Sequence, residues 1–185
     1  MKKEIPLKNA YRLITSGPLV LVSSSYKGKD NVLAIAWTMP YDFDPPKIAL
    51  EIGEGHLSYE YILKSKEAVI NIPVKNMLKK AVGCGSISGK KADKFGLLNL
   101  TKEKAKTVKA PLIKECAAHL EGKLIESKLA KEHGIFILKI TRALADTKAF
   151  NDRWLIHNKE GKIIHHMGGD YFYTPDKLIK QERKI

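Results

Sequence analysis

The chain has 185 residues, 44% of them hydrophobic and 29% charged, enough for one compact domain with a real core and unlike a disordered or fibrous composition. Its net charge is +13, and between Lys75 and Lys109 ten lysines face two acids, Asp93 and Glu103. Nucleic-acid modules interleave arginine and aromatics with such lysines; this stretch has no arginine and one aromatic, Phe95, so a solvated basic face is the favoured reading, a positive field that draws in anionic dinucleotides or an acidic redox partner is the alternative, and no nucleic-acid partner is expected.

The first residues, MKKEIPLKNAYRLI, begin with lysines but lack the apolar core of a secretory signal. PLVLVSSS (18–25) is apolar and β-branched and stops at the turn formers Gly28 and Asp30. NVLAIAWTM (31–39) then reads as its hairpin partner. Pro40 and the pair Pro45-Pro46 are expected to break regular structure, before KIALEI (47–52) alternates as a half-buried strand does. Ser58 is a candidate N-cap for the helix carried by Tyr59, Ile62 and Leu63. AVINI (68–72) is a buried strand stopped by Pro73, and NMLKKAV (76–82) a short helix ending at Gly83. CGSISGKKADKFG is small and polar, an ordered loop that runs into a helical turn. AHLEGKLIES and HGIFILKITRALAD are two long strands with a turn at Lys131-Glu132.

Consecutive hairpins and about seven strands point to a mainly β fold with short helices, an antiparallel barrel rather than a parallel βαβ sheet. No GxGxxG follows a strand, which argues against a Rossmann dinucleotide site. No apolar run approaches the ~20 residues of a membrane helix, so no membrane partner is expected. Two scattered cysteines, Cys84 and Cys116, suit a reducing compartment, and a cytoplasmic protein is expected. His165-His166 suggests metal at first glance. Neighbours on a strand point to opposite faces, however, and no further ligands at zinc spacing accompany them.

The ordered segments PLVLVSS, NVLAIAWTMPYDFDPPKIAL, HLSYEYILKSKEAVINIP, GSISGKKADKF, PLIKECAAHLEGKL, EHGIFILKI and HHMGGDYFY resemble the flavin reductase-like, FMN-binding split-barrel family, and its flavoredoxin branch in particular. They span residues 18 to 173. The resemblance implies an antiparallel, Greek-key-like split β-barrel filling one domain, with FMN as cofactor and a homodimer with the flavin beside the subunit interface. Electrons would pass from NAD(P)H or a reduced protein through the flavin to an acceptor. Other possible roles are a reductase using flavin as substrate, a non-catalytic flavin- or haem-binding module, and, from a different class, a basic nucleic-acid-associated protein.

The same resemblance assigns cofactor contacts. Asn31 and Trp37-Thr38-Met39 stand at the two ends of one strand, with backbone amides and the Thr38 hydroxyl near the pyrimidine edge of the ring; core packing is the alternative for Trp37 and Met39, and a turn role for Asn31. Ser58 combines a helix N-terminus with an anion site. His56 lies where many relatives carry arginine or lysine near the phosphate; it equally suits a surface position. SGKKADKF matches the family's S-G-x-x-x-D-K-F element, which makes Lys94 the charged contact to flavin or phosphate, with Ser86 and Ser88 offering hydroxyls and close backbone amides. Asp93 is a helix cap or a partner for a lysine. His133 opens the strand HGIFILKI and is the catalytic candidate, able to steady reduced flavin or meet a nicotinamide; a strand-end histidine bonded to backbone is the alternative. Tyr171, beside Phe172 after a glycine pair, is placed to cover the ring from the partner subunit or to pack. The family's usual cysteine column is occupied by Gly122, so no thiol role carries over.

Overall fold

The computed structural model describes residues 4–180. A 3₁₀ turn over Leu7–Leu13 precedes β1 (Val20–Tyr26), β2 (Lys29–Ile35), β3 (Thr38–Phe43), β4 (Pro46–Glu51), α1 (Leu57–Ser65) and β5 (Glu67–Ile72). There follow α2 (Leu78–Ser86), α3 (Lys94–Leu97), the two-residue strands β6 (Lys102–Glu103) and β7 (Leu112–Ile113), β8 (Ala118–Leu124), α4 (Lys128–His133) and β9 (Ile135–Ala145). Two small ribbons end the chain, β10 (Phe150–Asn151) with β11 (Arg153–Trp154), and β12 (His165–Gly168) with β13 (Tyr171–Tyr173).

Seven strands form one sheet in the order β2-β1-β5-β8-β9-β4-β3, every neighbour antiparallel. Its two edges, β2 and β3, are consecutive in sequence and separated only by Ala36 and Trp37. Two residues span less than about 8 Å, so the opposite edges must meet at that corner and the sheet curls into a barrel. No ladder joins β2 to β3, so the barrel is split along this seam. The mainly β, split-barrel architecture expected from the sequence is what the chain adopts.

Strand alternation sorts the core. Val20, Val22, Leu33, Ile35, Leu50, Ile70, Phe136 and Leu138 point inside the barrel with Ile62 of α1. The outward set Leu19, Leu21 and Val32 is buried too, beneath Met77, Ala81 and Cys84 around α2, Phe95 and Ile164. At about 1.5–3 kcal/mol for each large apolar side chain, this second layer clamps α2 and the 87–94 loop onto β1 and β2.

Four local expectations change. β2 stops at Ile35, and β3 runs through Pro40 rather than ending there; an edge strand can hold a residue without an N–H, and the register shifts between Pro40 and Asp42. α2 continues past Gly83 to Ser86. Gly83 is a contact point instead of a stop, since a Cβ there would lie 2.6 Å from Leu98. The expected turn at Lys131-Glu132 is α4, whose first amides, Lys128 and Leu129, donate to the Glu126 carboxylate and which ends at Gly134 with φ +70°. Ser58 is not the N-cap of α1: His56 holds that position, with no side-chain cap bond, and Ser58 sits buried in the first turn.

Candidate functional site

The seam where the sheet edges meet opens into a groove. Its wider part, about 400 Å³, runs between the end of β2 (Leu33 to Trp37), residues 51–53 and His56, the α2 face carrying Ala81, Val82, Gly85 and Ser86, and the β12–β13 ribbon with His166, Asp170 and Phe172. A deeper part of about 340 Å³ continues past the shared residues Leu33, His56, Gly85 and Ser86 to Asn31, Ser88, Gly89 and Lys94.

Lys94 dominates the deep end. It is only 3% exposed, and its ammonium donates to the carbonyls of Val32 (2.8 Å) and Cys84 (2.7 Å). Val32 lies on a sheet edge and Cys84 in the last turn of α2, two places where carbonyls lack ladder or helix partners. Lys94 therefore ties the edge strand to the helix end. Burial lowers its pKa, and none of the ion pairs among the described residues supplies it with a carboxylate. An ammonium has three protons; two are used, and the third is left for a ligand in the groove. Asp93 caps α3 by accepting from the Phe95 amide at 3.0 Å, which holds Lys94 at the start of the helix facing inwards.

Beside it, Asn31 is buried and its Nδ2 donates to Ser58 Oγ at 2.9 Å; Ser24 Oγ lies 3.4 Å from the same oxygen. Burial and these partners, rather than helix capping, explain the serine at 58. Gly89 is required by this packing: a Cβ there would fall 2.1 Å from Asn31 Oδ1. Ser86 Oγ donates back to the Val82 carbonyl at 3.0 Å, while the Ser88 carbonyl accepts from the Lys91 and Ala92 amides.

Of the sequence candidates, Asn31, Ser86, Ser88 and Lys94 line the deep end, with Ser58 directly behind Asn31, and Trp37, 52% exposed, lines the wide part against Tyr11. Thr38 and Met39 fall elsewhere. They line a separate apolar cavity of about 700 Å³ with Ile70, Leu120 and Trp154, and the Thr38 hydroxyl donates to the Ala49 carbonyl at 3.1 Å. His133 closes α4 instead of opening a strand, with its side chain 61% exposed and outside the groove, although the next residue, Gly134, accepts from the amide of Ile52 in the groove wall. Tyr171 points to solvent, 77% exposed; its neighbour Phe172 lines the groove, tilted against His166 with ring centroids 5.0 Å apart.

The histidine pair divides as strand alternation requires, His165 toward the apolar cavity and His166 toward the groove. Among the described residues no group of three or more histidines, cysteines and carboxylates is placed to hold a metal ion. Glu51, Gly53 and Asp170 join the site without any sequence signal, because they come from element ends that only the fold brings together. Cys84 is a core thiol: burial pushes its pKa up to about 11 despite Lys94 and Lys80 nearby.

The sequence pattern described as "Flavin reductase like domain" matches residues 11–165. The chain belongs to that family. This flavin reductase-like chain is 30% identical to an FMN-binding domain of a flavin reductases-like enzyme from Shewanella baltica OS155, with 96% of each chain covered and a TM-score of 0.84. It is 26% identical to the flavoredoxin of Desulfovibrio vulgaris (Miyazaki F), covering 98% of this chain and 97% of that one, with a TM-score of 0.86. Among curated proteins it is 29% identical over 180 residues to the uncharacterized protein YddH of Escherichia coli, 95% of each being covered.

Proposed function

We propose that this flavin reductase-like chain binds FMN in the seam groove and acts as a flavin-dependent oxidoreductase of the flavoredoxin kind, passing electrons from NAD(P)H or a reduced protein to an acceptor. The observation that carries the reading is Lys94, a buried ammonium without a carboxylate at the base of a groove large enough for a flat ring system. A buried cation costs several kcal/mol unless an anion answers it. FMN, a dianion with an electron-accepting ring, fits that need. Lys94, with Asn31, Ser88 and the close-packed Gly89, would hold its anionic or carbonyl-rich parts. Trp37 and Phe172 would flank its apolar ones. Bound FMN supplies the hydride- and electron-accepting chemistry; the chain binds it, orients it and sets the polarity around it.

A homodimer is part of the proposal. The edge strand β3 turns Met39, Tyr41 and the 91% exposed Phe43 outwards, next to the 700 Å³ apolar cavity. Contiguous apolar surface on an unpaired edge is what an interface covers. His133 and Tyr171, outside their own groove, are then available to the groove of a second copy. Two free, buried cysteines suit the cytoplasm.

The test is anaerobic. Purified protein titrated with FMN should quench flavin fluorescence to a stoichiometric end point and carry a yellow colour through gel filtration. Bleaching by NADH or NADPH then identifies a reductase, and bleaching by a low-potential protein donor alone identifies a carrier. A protein that stays colourless after reconstitution overturns the proposal.

A further inference from the structure

Outside the groove, its α2 rim is basic. Lys79 lies on α2 at i−3 and i−7 from Val82 and Ser86, on the helix face that lines the groove. Lys90 and Lys91 follow Gly89 in the turn that the Lys91 amide closes onto the Ser88 carbonyl. All three are exposed, and none takes part in the ion pairs among the described residues. Three other lysines of the stretch are engaged: Lys94 is buried in the cradle, Lys102 pairs with Asp30 at 2.8 Å, and Lys80 donates to the Asn99 carbonyl at 2.6 Å. The nearby Glu60 is held by Lys64 at 2.6 Å and offers Lys90 only a longer-range attraction. Val82 and Trp37 are exposed and line the wide part of the groove. The carboxylates Glu51 and Asp170 sit in the opposite walls.

We propose that Lys79 on α2 and Lys90 and Lys91 in the loop that follows it form the docking surface for an acidic redox protein that exchanges electrons with the flavin; this rests on the FMN reading of the groove. Exposed Val82 lies one helical turn from Lys79, and apolar groups beside unpaired charges are the stuff of a protein interface. The three ammoniums do not line the groove, so a small anion inside it leaves them idle. A partner with an extended acidic surface gives all three a counter-charge. Each encounter oxidises the partner's metal centre by one electron. Two encounters deliver the two electrons that reduce FMN, with two protons taken from solvent. Charge complementarity of this kind raises association rates by about 10- to 1000-fold and fades with salt.

The experiment uses the FMN-loaded full chain and the variant K79E/K90E/K91E. Both are first titrated with FMN, and affinities within about threefold establish that the groove is intact; failure of the wild type to bind FMN sinks the flavin reading itself and is distinguishable at this step. Anaerobic stopped-flow reduction by a reduced acidic [2Fe–2S] ferredoxin follows. The expected result is a rate constant at least about tenfold lower in the variant at roughly 20 mM salt, with the two proteins converging near 0.5 M, where the Debye length shrinks to a few ångströms. Reduction by dithionite should differ by less than about threefold, and the milder K79Q/K90Q/K91Q should fall between. Equal ferredoxin rates in wild type and variant, or rates indifferent to salt, overturn the proposal. So does loss of retention on a DNA column with unchanged ferredoxin kinetics, which would make the rim a nucleic-acid surface.

Discussion

Replacing Lys94 by methionine keeps the length and apolar stem of the side chain and deletes the ammonium. In the free protein the variant strands the carbonyls of Val32 and Cys84, now bonded at 2.8 and 2.7 Å. Two lost acceptor bonds cost about 1–3 kcal/mol each. The deletion also removes a charge that burial disfavours, and the two effects oppose. The sign follows from the direction of the shift: the Lys94 pKa is lowered in the fold, so the charged form destabilises the native state at neutral pH, and that cost fades as pH rises toward the ordinary lysine value of 10.5. Net loss of stability without ligand should therefore be small, about 1–2 kcal/mol. FMN affinity has no such offset. One charge-assisted contact to an anion is worth about 2–3 kcal/mol, or roughly 30- to 150-fold in Kd. Fluorescence titration with FMN and with riboflavin, beside urea unfolding of the ligand-free protein, separates the effects: a larger penalty for FMN than for riboflavin places the ammonium at the phosphate, and equal penalties place it at the ring. A folded K94M protein that binds both as the wild type does refutes the assignment.

Gly89→Ala should push Asn31 off Ser58, because the added methyl would start 2.1 Å from Asn31 Oδ1; an affinity loss of at least about tenfold with roughly 1–3 kcal/mol of destabilisation is expected, and unchanged FMN titration would show the cradle to be unused. Glu121 is fully buried on β8 and accepts from the Lys106 amide, from the Thr107 amide and hydroxyl, and from Arg142 at 2.7 Å. Burial alone would raise its pKa, but Thr107 and Arg142 prevail and bring it to about 2. A carboxylate lowered this far from 4.5 contributes about 3 kcal/mol above pH 4.5, lost as pH falls toward 2. Glu121→Gln should cost roughly that much at pH 7 and flatten this part of the stability curve; urea midpoints that track the wild type at both ends of the window would contradict the pairing.

The strands are legible because their apolar residues alternate or run unbroken, as in 18–25 and 47–52; burial follows the unbroken run of β1, while in β4 the adjacent Ala49 and Leu50 are both buried. The corner at Ala36-Trp37 is not legible in that way. Strand periodicity carries through 31–39 without interruption, and only closure of the barrel forces the chain to leave one edge and start the other. Helix α4 was hidden for a related reason, since six residues between two strong strands carry little periodicity, and its cap, Glu126, precedes it by two residues. At the site, the compact segment GSISGKKADKF brings Lys94, Ser88 and Ser86 together because its loop is held locally by the Asp93 cap and the Ser88 turn. Thr38 and Met39 part from Trp37 at the bend between β2 and β3, which turns them toward the other cavity, a separation that strand periodicity does not announce. Asp170 and Glu51 are contributed by distant strand ends, which no local pattern announces.

The two-residue corner at Ala36-Trp37 makes the groove part of the fastening of the barrel. Whatever occupies the groove bridges β2, the end of β4, α2 and the last ribbon, across a line where no backbone ladder runs. A ligand there works as a rivet, and at a hundred times its Kd it holds the folded chain by about 2.7 kcal/mol more than the empty one. Abundance of the protein in a cell would then track its supply of flavin, with the ligand-free chain the form that quality control removes first.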